Sequence, residues 1–194
     1  MQKRVFIIHM WDSHPKDGWY PWLQKELEGK GFQVQVPAMP EPAKPNIENW
    51  VSRLAKIVGN VDENTFFVGH SVGCQTILRY FENLPADKKV GGAVFVAGWL
   101  KLVNLETEEE KEIAKPWLET PIDFNNIKQH TTKFVAIFSD NDQWVSIDNK
   151  ALFEQKLGAK TIIENQKGHI SGDEGIAELP SALESIVSFS DLNL

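Results

Sequence analysis

The sequence contains a single cysteine, Cys74, among its 194 residues. One cysteine can form neither an intramolecular disulfide nor a cysteine-rich zinc site, so a disulfide scaffold and a zinc-ribbon class of protein are both excluded. Basic residues are also scarce relative to acidic ones. Twenty Lys and Arg stand against 27 Asp and Glu, which gives a formal net charge of −7. Nucleic-acid-binding surfaces are usually basic, and we therefore expect no nucleic-acid partner.

The chain also has no long hydrophobic run. The apolar residues 5–8 near the start are followed by His9 and Asp12, and no run approaches the roughly 18 residues that a membrane span requires. We therefore expect neither a signal peptide nor a membrane partner, and we expect a cytoplasmic protein. No repeat or low-complexity tract divides the chain. Residues 1–194 are expected to form a single domain.

Short apolar runs alternate along the chain with longer amphipathic segments. The runs predict six strands, at 5–8, 32–36, 65–68, 93–97, 134–138 and 161–163. The amphipathic segments predict helices at 22–28, 47–57, 76–83, 123–129, 147–157 and 179–189. Strands that alternate with helices indicate an α/β fold, a doubly wound sheet of about six mostly parallel strands with helices on both faces. Ligands of such sheets bind beyond the carboxyl ends of the strands.

One of the loops at those strand ends holds a serine between two glycines, in Gly69-His70-Ser71-Val72-Gly73. A Gly-x-Ser-x-Gly turn between a strand and a helix keeps the serine in a strained backbone conformation and leaves its hydroxyl exposed above the sheet. The backbone N–H of Val72 then points to the same space, at the positive end of a helix dipole. The pattern predicts that Ser71 is a nucleophile and that Val72 contributes to an oxyanion hole.

A serine hydroxyl needs a general base and an acid that orients the base. In this architecture the partners follow in the order Ser, then Asp or Glu, then His. His169 follows the sixth predicted strand and is the candidate base. Two carboxylates, Asp140 and Asp142, follow the fifth strand, and the order of residues alone does not choose between them.

These motifs resemble those of the α/β-hydrolases, and more narrowly the small serine hydrolases grouped with retinoblastoma-binding protein 9 and YdeN-like proteins. The stretches Gly18-Trp19-Tyr20-Pro21-Trp22, Met39-Pro40-Glu41-Pro42 and Lys115-Pro116-Trp117 add to the resemblance, which extends from about residue 5 to about residue 187. The resemblance implies that Asp142 is the acid of the triad, with Asp140 as the alternative.

Two positions depart from the family pattern. Many hydrolases of this fold have His-Gly after the first strand, whereas this chain has His9-Met10-Trp11. We expect the second oxyanion donor to be the backbone N–H of Trp11. The retinoblastoma-binding pentapeptide Leu-x-Cys-x-Glu is reduced here to its glutamate, Glu63, so binding of the retinoblastoma protein is not expected.

Several tryptophans fall in or beside the strand-end loops, and we expect Trp99 and Trp144, together with His9, to line the substrate pocket. The only segment that could cover this pocket is the cap-like insertion at about 98–121. Such a short cap favours an open pocket for small substrates.

Other motifs carry less weight. His9 and His14 lack the third ligand of a zinc site, and Asp140-Asn141-Asp142 lacks the rest of a calcium loop. The glycine turn lacks the Gly-Lys-Ser/Thr ending of a phosphate-binding loop. We expect Cys74 to fill space in the core and the acidic run near Glu108 to form a solvated helix face. No metal and no cofactor are expected.

The sequence thus predicts a serine hydrolase that cleaves small ester or amide substrates through an acyl-Ser71 intermediate. The subtype, carboxylesterase-like or small amidase/aminopeptidase-like, stays open. The alternative is a protein-binding module on a hydrolase scaffold, because a fold does not by itself imply activity.

Overall fold

The computed structural model describes residues 2–191. Its six strands are β1 (Arg4–Ile8), β2 (Gln33–Gln35), β3 (Thr65–His70), β4 (Gly92–Val96), β5 (Phe134–Ser139) and β6 (Lys160–Glu164). They form one sheet in the order β2-β1-β3-β4-β5-β6, and every neighbouring pair is parallel. The predicted α/β fold and its six-stranded parallel sheet are confirmed.

In the described part of the chain, seven helices connect and cover these strands: α1 (Tyr20–Gly29), α2 (Ile47–Val58), α3 (Val72–Glu82), α4 (Glu108–Glu119), α5 (Phe124–His130), α6 (Asn149–Leu157) and α7 (Pro180–Asp191). None of the helices within residues 2–191 is long and apolar enough to cross a membrane.

The strand β1 shows why the central runs of the sequence are continuously apolar. Successive side chains of a strand point to opposite faces of the sheet. Val5 and Ile7 belong to a buried cluster that includes side chains of α1 and α7. Phe6 and Ile8 belong to a second cluster, with side chains of α2, α3 and α6. Both faces of the sheet are therefore buried, and both parities of the strand must be apolar.

Helix α3 begins directly after Ser71, four residues before the helix start predicted at Thr76. The first two helical residues are Val72 and Gly73, which both have low intrinsic helix propensity. Packing of this turn against the end of β1 overrides that propensity. The Gly-x-Ser-x-Gly turn indicated a helix beginning here, whereas the hydrophobic periodicity did not. Beginning the helix here places the Val72 N–H at its positive end.

The cap-like segment 98–121 is held against the rest of the protein by helix α4. The helix starts with a capping box, in which Thr107 and Glu110 each accept a hydrogen bond from the other's backbone N–H. Trp117 of this helix is buried, and its indole N–H donates to the Pro45 carbonyl at 3.0 Å. The segment is thus anchored to the loop that follows β2.

Gly73 offers a test of how tightly α3 approaches β1. A Cβ atom on Gly73 would lie 2.3 Å from the carbonyl oxygen of Ile8, which is backbone and cannot turn away. We expect Gly73→Ala to lower the free energy of unfolding by about 1–3 kcal/mol, the usual cost of overpacking. A Cβ on the helical Gly29 would meet no atom within 4 Å, so Gly29→Ala is the matched control. Urea denaturation followed by tryptophan fluorescence measures both, and equal stability of the two variants would contradict the prediction.

Candidate active site

Ser71 lies at the sharp turn between β3 and α3, with a φ of 52° and a ψ of −117°. A positive φ is strained for a residue with a side chain, and the surrounding contacts must hold it. The Ser71 N–H donates to the Val96 carbonyl at 2.9 Å. A Cβ on Gly69 would lie 2.7 Å from the backbone nitrogen of Cys74, so the flanking glycine is required by space. The turn holds the Ser71 side chain at the carboxyl end of the sheet.

His169 and Asp142 come together at the same end of the sheet. The Nδ1 atom of His169 lies 2.8 Å from Oδ2 of Asp142, and the two side chains are only 8% and 1% exposed. The other carboxylate oxygen, Oδ1, accepts hydrogen bonds from the N–H groups of Trp144 and Val145 at 2.9 and 3.0 Å. Because the carboxylate accepts the Nδ1 proton, the Nε2 atom of His169 is left with a lone pair.

Asp140 occupies a different position. Its Oδ1 atom accepts hydrogen bonds from the backbone N–H of Gln166 at 2.7 Å and from the Gln166 side chain at 3.3 Å. The side chain is exposed, and among the described residues it has no hydrogen bond to His169. Asp140 therefore braces the turn after β6, while Asp142 contacts the imidazole.

Ser71 and His169 line one cleft, but no hydrogen bond joins their side chains in the described part of the chain. The Ser71 Oγ atom instead accepts a hydrogen bond from the indole N–H of Trp99 at 3.3 Å. Hydrogen bonds between catalytic groups are often long before substrate binds and tighten in the complex. The arrangement is compatible with proton transfer from Ser71 to His169 once a substrate fills the cleft.

Among residues 2–191, neither the backbone N–H of Val72 nor that of Trp11 has a hydrogen-bond acceptor. Val72 is the first residue of α3. On either side of Trp11, the Met10 N–H donates to the Tyr20 hydroxyl at 3.2 Å and the Asp12 N–H donates to the Pro42 carbonyl at 2.8 Å. The Trp11 N–H, unlike its two neighbours, has no acceptor and is available to an incoming oxygen.

The cleft has a volume of about 820 Å³ and combines aromatic with acidic side chains. Its lining includes Trp11, Trp99 and Trp144, and the rings of Trp144 and His169 pack nearly at right angles with 5.3 Å between their centroids. Its size suits a drug-sized or smaller molecule.

His9 does not line this cleft, and its assignment to the substrate pocket is wrong. The side chain is fully buried beneath the loop. Its Nδ1 donates to the Met10 carbonyl at 2.8 Å, and its Nε2 accepts from the Met39 N–H at 3.1 Å. Burial lowers the pKa of His9, so the imidazole is neutral and structural. Within residues 2–191, no cluster of three or more His, Cys, Asp or Glu side chains could hold a metal ion.

Sequence reasoning missed a buried network that supports the site. The Tyr20 hydroxyl donates to Nδ1 of His70 at 2.7 Å, and Nε2 of His70 donates to the carbonyl of His169 at 2.9 Å. Burial, together with the neighbouring imidazole of His169, lowers the pKa of His70 to about 3, so the ring is neutral at physiological pH. The network joins the Met10 loop, the serine turn and the His169 loop. The only sign of this network in the sequence is that Tyr20 and His70 each lie within a stretch that the sequence analysis had singled out, residues 18–22 and residues 69–73.

Glu174 was also missed, and it fixes the turn that follows His169. One carboxylate oxygen accepts from the His169 N–H at 3.1 Å, and the other accepts from the N–H and hydroxyl of Ser171. Burial would raise the pKa of Glu174, but these hydrogen bonds outweigh it and hold the pKa below its usual range. The ionised carboxylate therefore anchors the His169 loop.

The chain is similar in sequence to known hydrolases. The family model described as serine hydrolase matches residues 5–188. The YdeN hydrolase of Bacillus subtilis (strain 168) is 32% identical over 190 residues, which cover 97% of this chain and 97% of that protein. The serine hydrolase RBBP9 of Rattus norvegicus is 25% identical over 158 residues, covering 81% of this chain and 80% of the relative.

The crystal structure of the ydeN gene product from B. subtilis superposes with a TM-score of 0.90 at 29% identity. The superposition covers 98% of this chain and all of the other. The similarity in sequence and the similarity in structure therefore lead to the same family.

Matched substitutions of Asp142 and Asp140 distinguish the roles of the two aspartates. Asp142→Asn keeps an oxygen for the Trp144 and Val145 N–H groups but turns an amide toward His169, which favours the wrong tautomer of the ring. We expect the turnover of p-nitrophenyl acetate to fall by about 10⁴. Asp140→Asn should cost less than about tenfold, because it weakens only the contacts with Gln166. Losses of equal size, or a larger loss for the Asp140 variant, would overturn the choice of Asp142.

Proposed function

This chain belongs to the serine hydrolase family and is a hydrolase, and we propose that it cleaves small ester or amide substrates through an acyl-Ser71 intermediate. The observation that carries the proposal is the buried contact of 2.8 Å between His169 and Asp142 in the cleft that Ser71 lines. A neutral imidazole held by a carboxylate is a general base suited to a serine.

In the proposed first half-reaction, the Ser71 oxygen attacks the carbonyl carbon while its proton passes to Nε2 of His169. The carbonyl oxygen becomes an oxyanion, which the N–H groups of Val72 and Trp11 stabilise. Collapse of the tetrahedral intermediate breaks the bond to the leaving group, which takes its proton from His169. The acyl group is then held on Ser71 as an ester.

The second half-reaction repeats these steps with water. His169 takes a proton from a water molecule as the water oxygen attacks the acyl carbon. The bond between the acyl carbon and the Ser71 oxygen then breaks, the electron pair stays with that oxygen, and His169 returns the proton to it. The products are a carboxylic acid and the free serine. Every step uses the protein's own side chains and backbone N–H groups, and no cofactor is part of the proposal.

Removing the proposed nucleophile tests this function. Ser71→Ala deletes one hydroxyl without adding volume, so we expect the protein to fold and to lose hydrolysis of p-nitrophenyl acetate by at least about 10³ relative to the wild type. The control is Ser188→Ala, an exposed serine of α7 whose hydroxyl donates only to the Ser185 carbonyl, and it should keep full activity. Retained hydrolysis in the Ser71 variant would refute the assignment. A folded wild type without any hydrolase activity would favour a binding role.

The shape of the cleft leads to a prediction about acyl length. The cleft is open, and its tryptophan walls bury a short acyl chain at about 0.8 kcal/mol per methylene until the chain reaches solvent. Activity on p-nitrophenyl esters is therefore expected to peak at about two to six acyl carbons. The profile is measured as kcat/KM across a series of acyl lengths, and Trp11→Ala or Trp144→Ala should move the peak to longer chains. A rise that continues to about 12 or 16 carbons would show a lipase-like site instead.

A further inference from the structure

The hydroxyl of Ser71 has an unusual neighbour. The indole N–H of Trp99, a side chain that is only 2% exposed, donates to the Ser71 Oγ atom at 3.3 Å. An indole N–H can only donate, so the Oγ atom must be the acceptor. The hydroxyl proton of Ser71 stays available for His169. The contact therefore leaves the proposed proton transfer open while adding a positive dipole at the reacting oxygen.

The position of Trp99 is fixed by hydrogen bonds that lie outside the cleft. The side chain of Gln75, on the helix that begins at the serine turn, donates to the Trp99 carbonyl at 2.7 Å. Oδ1 of the fully buried Asn149 accepts from the N–H groups of Leu100 and Lys101 at 2.8 and 3.1 Å. The loop after β4 is thus tied both to α3 and to α6, and the indole is pre-organised against the nucleophile.

We propose that Trp99 is a catalytic residue that speeds hydrolysis of the acyl enzyme by donating its indole N–H to the departing Ser71 oxygen. This inference rests on the proposed function, because it requires that Ser71 carries the acyl group.

The two half-reactions change the charge on the Ser71 oxygen in opposite directions. During acylation the oxygen becomes part of an ester and is a poorer hydrogen-bond acceptor than before. During deacylation the bond to the acyl carbon breaks, its electron pair stays on the oxygen, and negative charge grows there until His169 returns a proton. A donor accelerates only the step in which its hydrogen bond strengthens toward the transition state. The Trp99 N–H therefore favours deacylation over acylation.

A purely structural role for this hydrogen bond has a different consequence. A buried indole N–H needs an acceptor, and Ser71 would simply supply one. Loss of the bond would then lower stability or slow both half-reactions together. The ratio of the two rates separates the roles.

The experiment compares the wild type with Trp99→Phe, which keeps an aromatic ring and removes the N–H. Stopped-flow measurement of nitrophenol release from p-nitrophenyl acetate gives the acylation rate from the burst and the deacylation rate from the steady state. Acid quenching and mass spectrometry give the fraction of enzyme acetylated on Ser71. We expect deacylation to slow by about tenfold, acylation to change by less than about threefold, and acetyl-Ser71 to accumulate.

The matched control is Trp117→Phe. Its indole N–H is also buried and donates to a carbonyl, that of Pro45, but Trp117 does not line the cleft. This variant should lose a similar hydrogen bond and keep the wild-type ratio of rates. Equal slowing of both steps in the Trp99 variant, no change in either, or the same shift in the control would overturn the inference. Absence of any acyl group on Ser71 of the wild type would instead refute the proposed function itself.

A second measurement uses the wild type and does not depend on the variant folding. The proton NMR signal of the Trp99 indole N–H is followed before and after Ser71 reacts with a fluorophosphonate, which converts Oγ into an ester-like oxygen. We expect the signal to move upfield and to exchange faster with solvent, because its acceptor is weakened. A signal that does not change would show that the indole N–H is not bonded to Ser71.

Discussion

The site depends on one strained backbone conformation, that of Ser71 at a φ of 52°. The turn requires α3 to approach β1 closely, and this approach is possible because Gly73 has no side chain to collide with the β1 backbone. The hydrogen bond from the Ser71 N–H to the Val96 carbonyl ties the turn to the neighbouring strand. The same constraint places the first N–H of α3 directly after Ser71. Strain at this residue is thus held by the packing of the whole central sheet.

Around this turn, buried polar groups are used as fixed supports. His70 remains neutral because burial lowers its pKa to about 3, and it can therefore donate to the His169 carbonyl while accepting from Tyr20. Fully satisfied networks of this kind stiffen a site, because any rearrangement would leave a buried group without a partner. The exposed carboxylate of Glu174 also supports the turn after His169, by accepting a hydrogen bond from the His169 N–H. The reactive side chains thus rest on loops that are held from both sides.

The sequence was sufficient for the fold, and strand order and loop position alone place Ser71, His169 and both aspartates at one end of a parallel sheet. The choice of Asp142 over Asp140 came from the family resemblance. The sequence did not predict the orientation of individual side chains in the site. His9 follows β1 and was expected in the pocket, yet its ring turns inward to bind the Met39 N–H. The donation from Trp99 to Ser71 depends on contacts between four separate loops and helices, which no local pattern encodes. Local periodicity predicts elements well, but it carries little information on the direction of a buried polar ring.

The central claim is that the Ser71 hydroxyl is the nucleophile of a working hydrolase site. The location of a covalent adduct tests this claim most directly. The folded wild type would be treated with a fluorophosphonate, digested, and its peptides sequenced by mass spectrometry. The account predicts one adduct, on Ser71, and its loss when His169 is replaced by alanine, because the hydroxyl then has no base. A folded protein that remains unlabelled, or an adduct on another residue, would contradict the account.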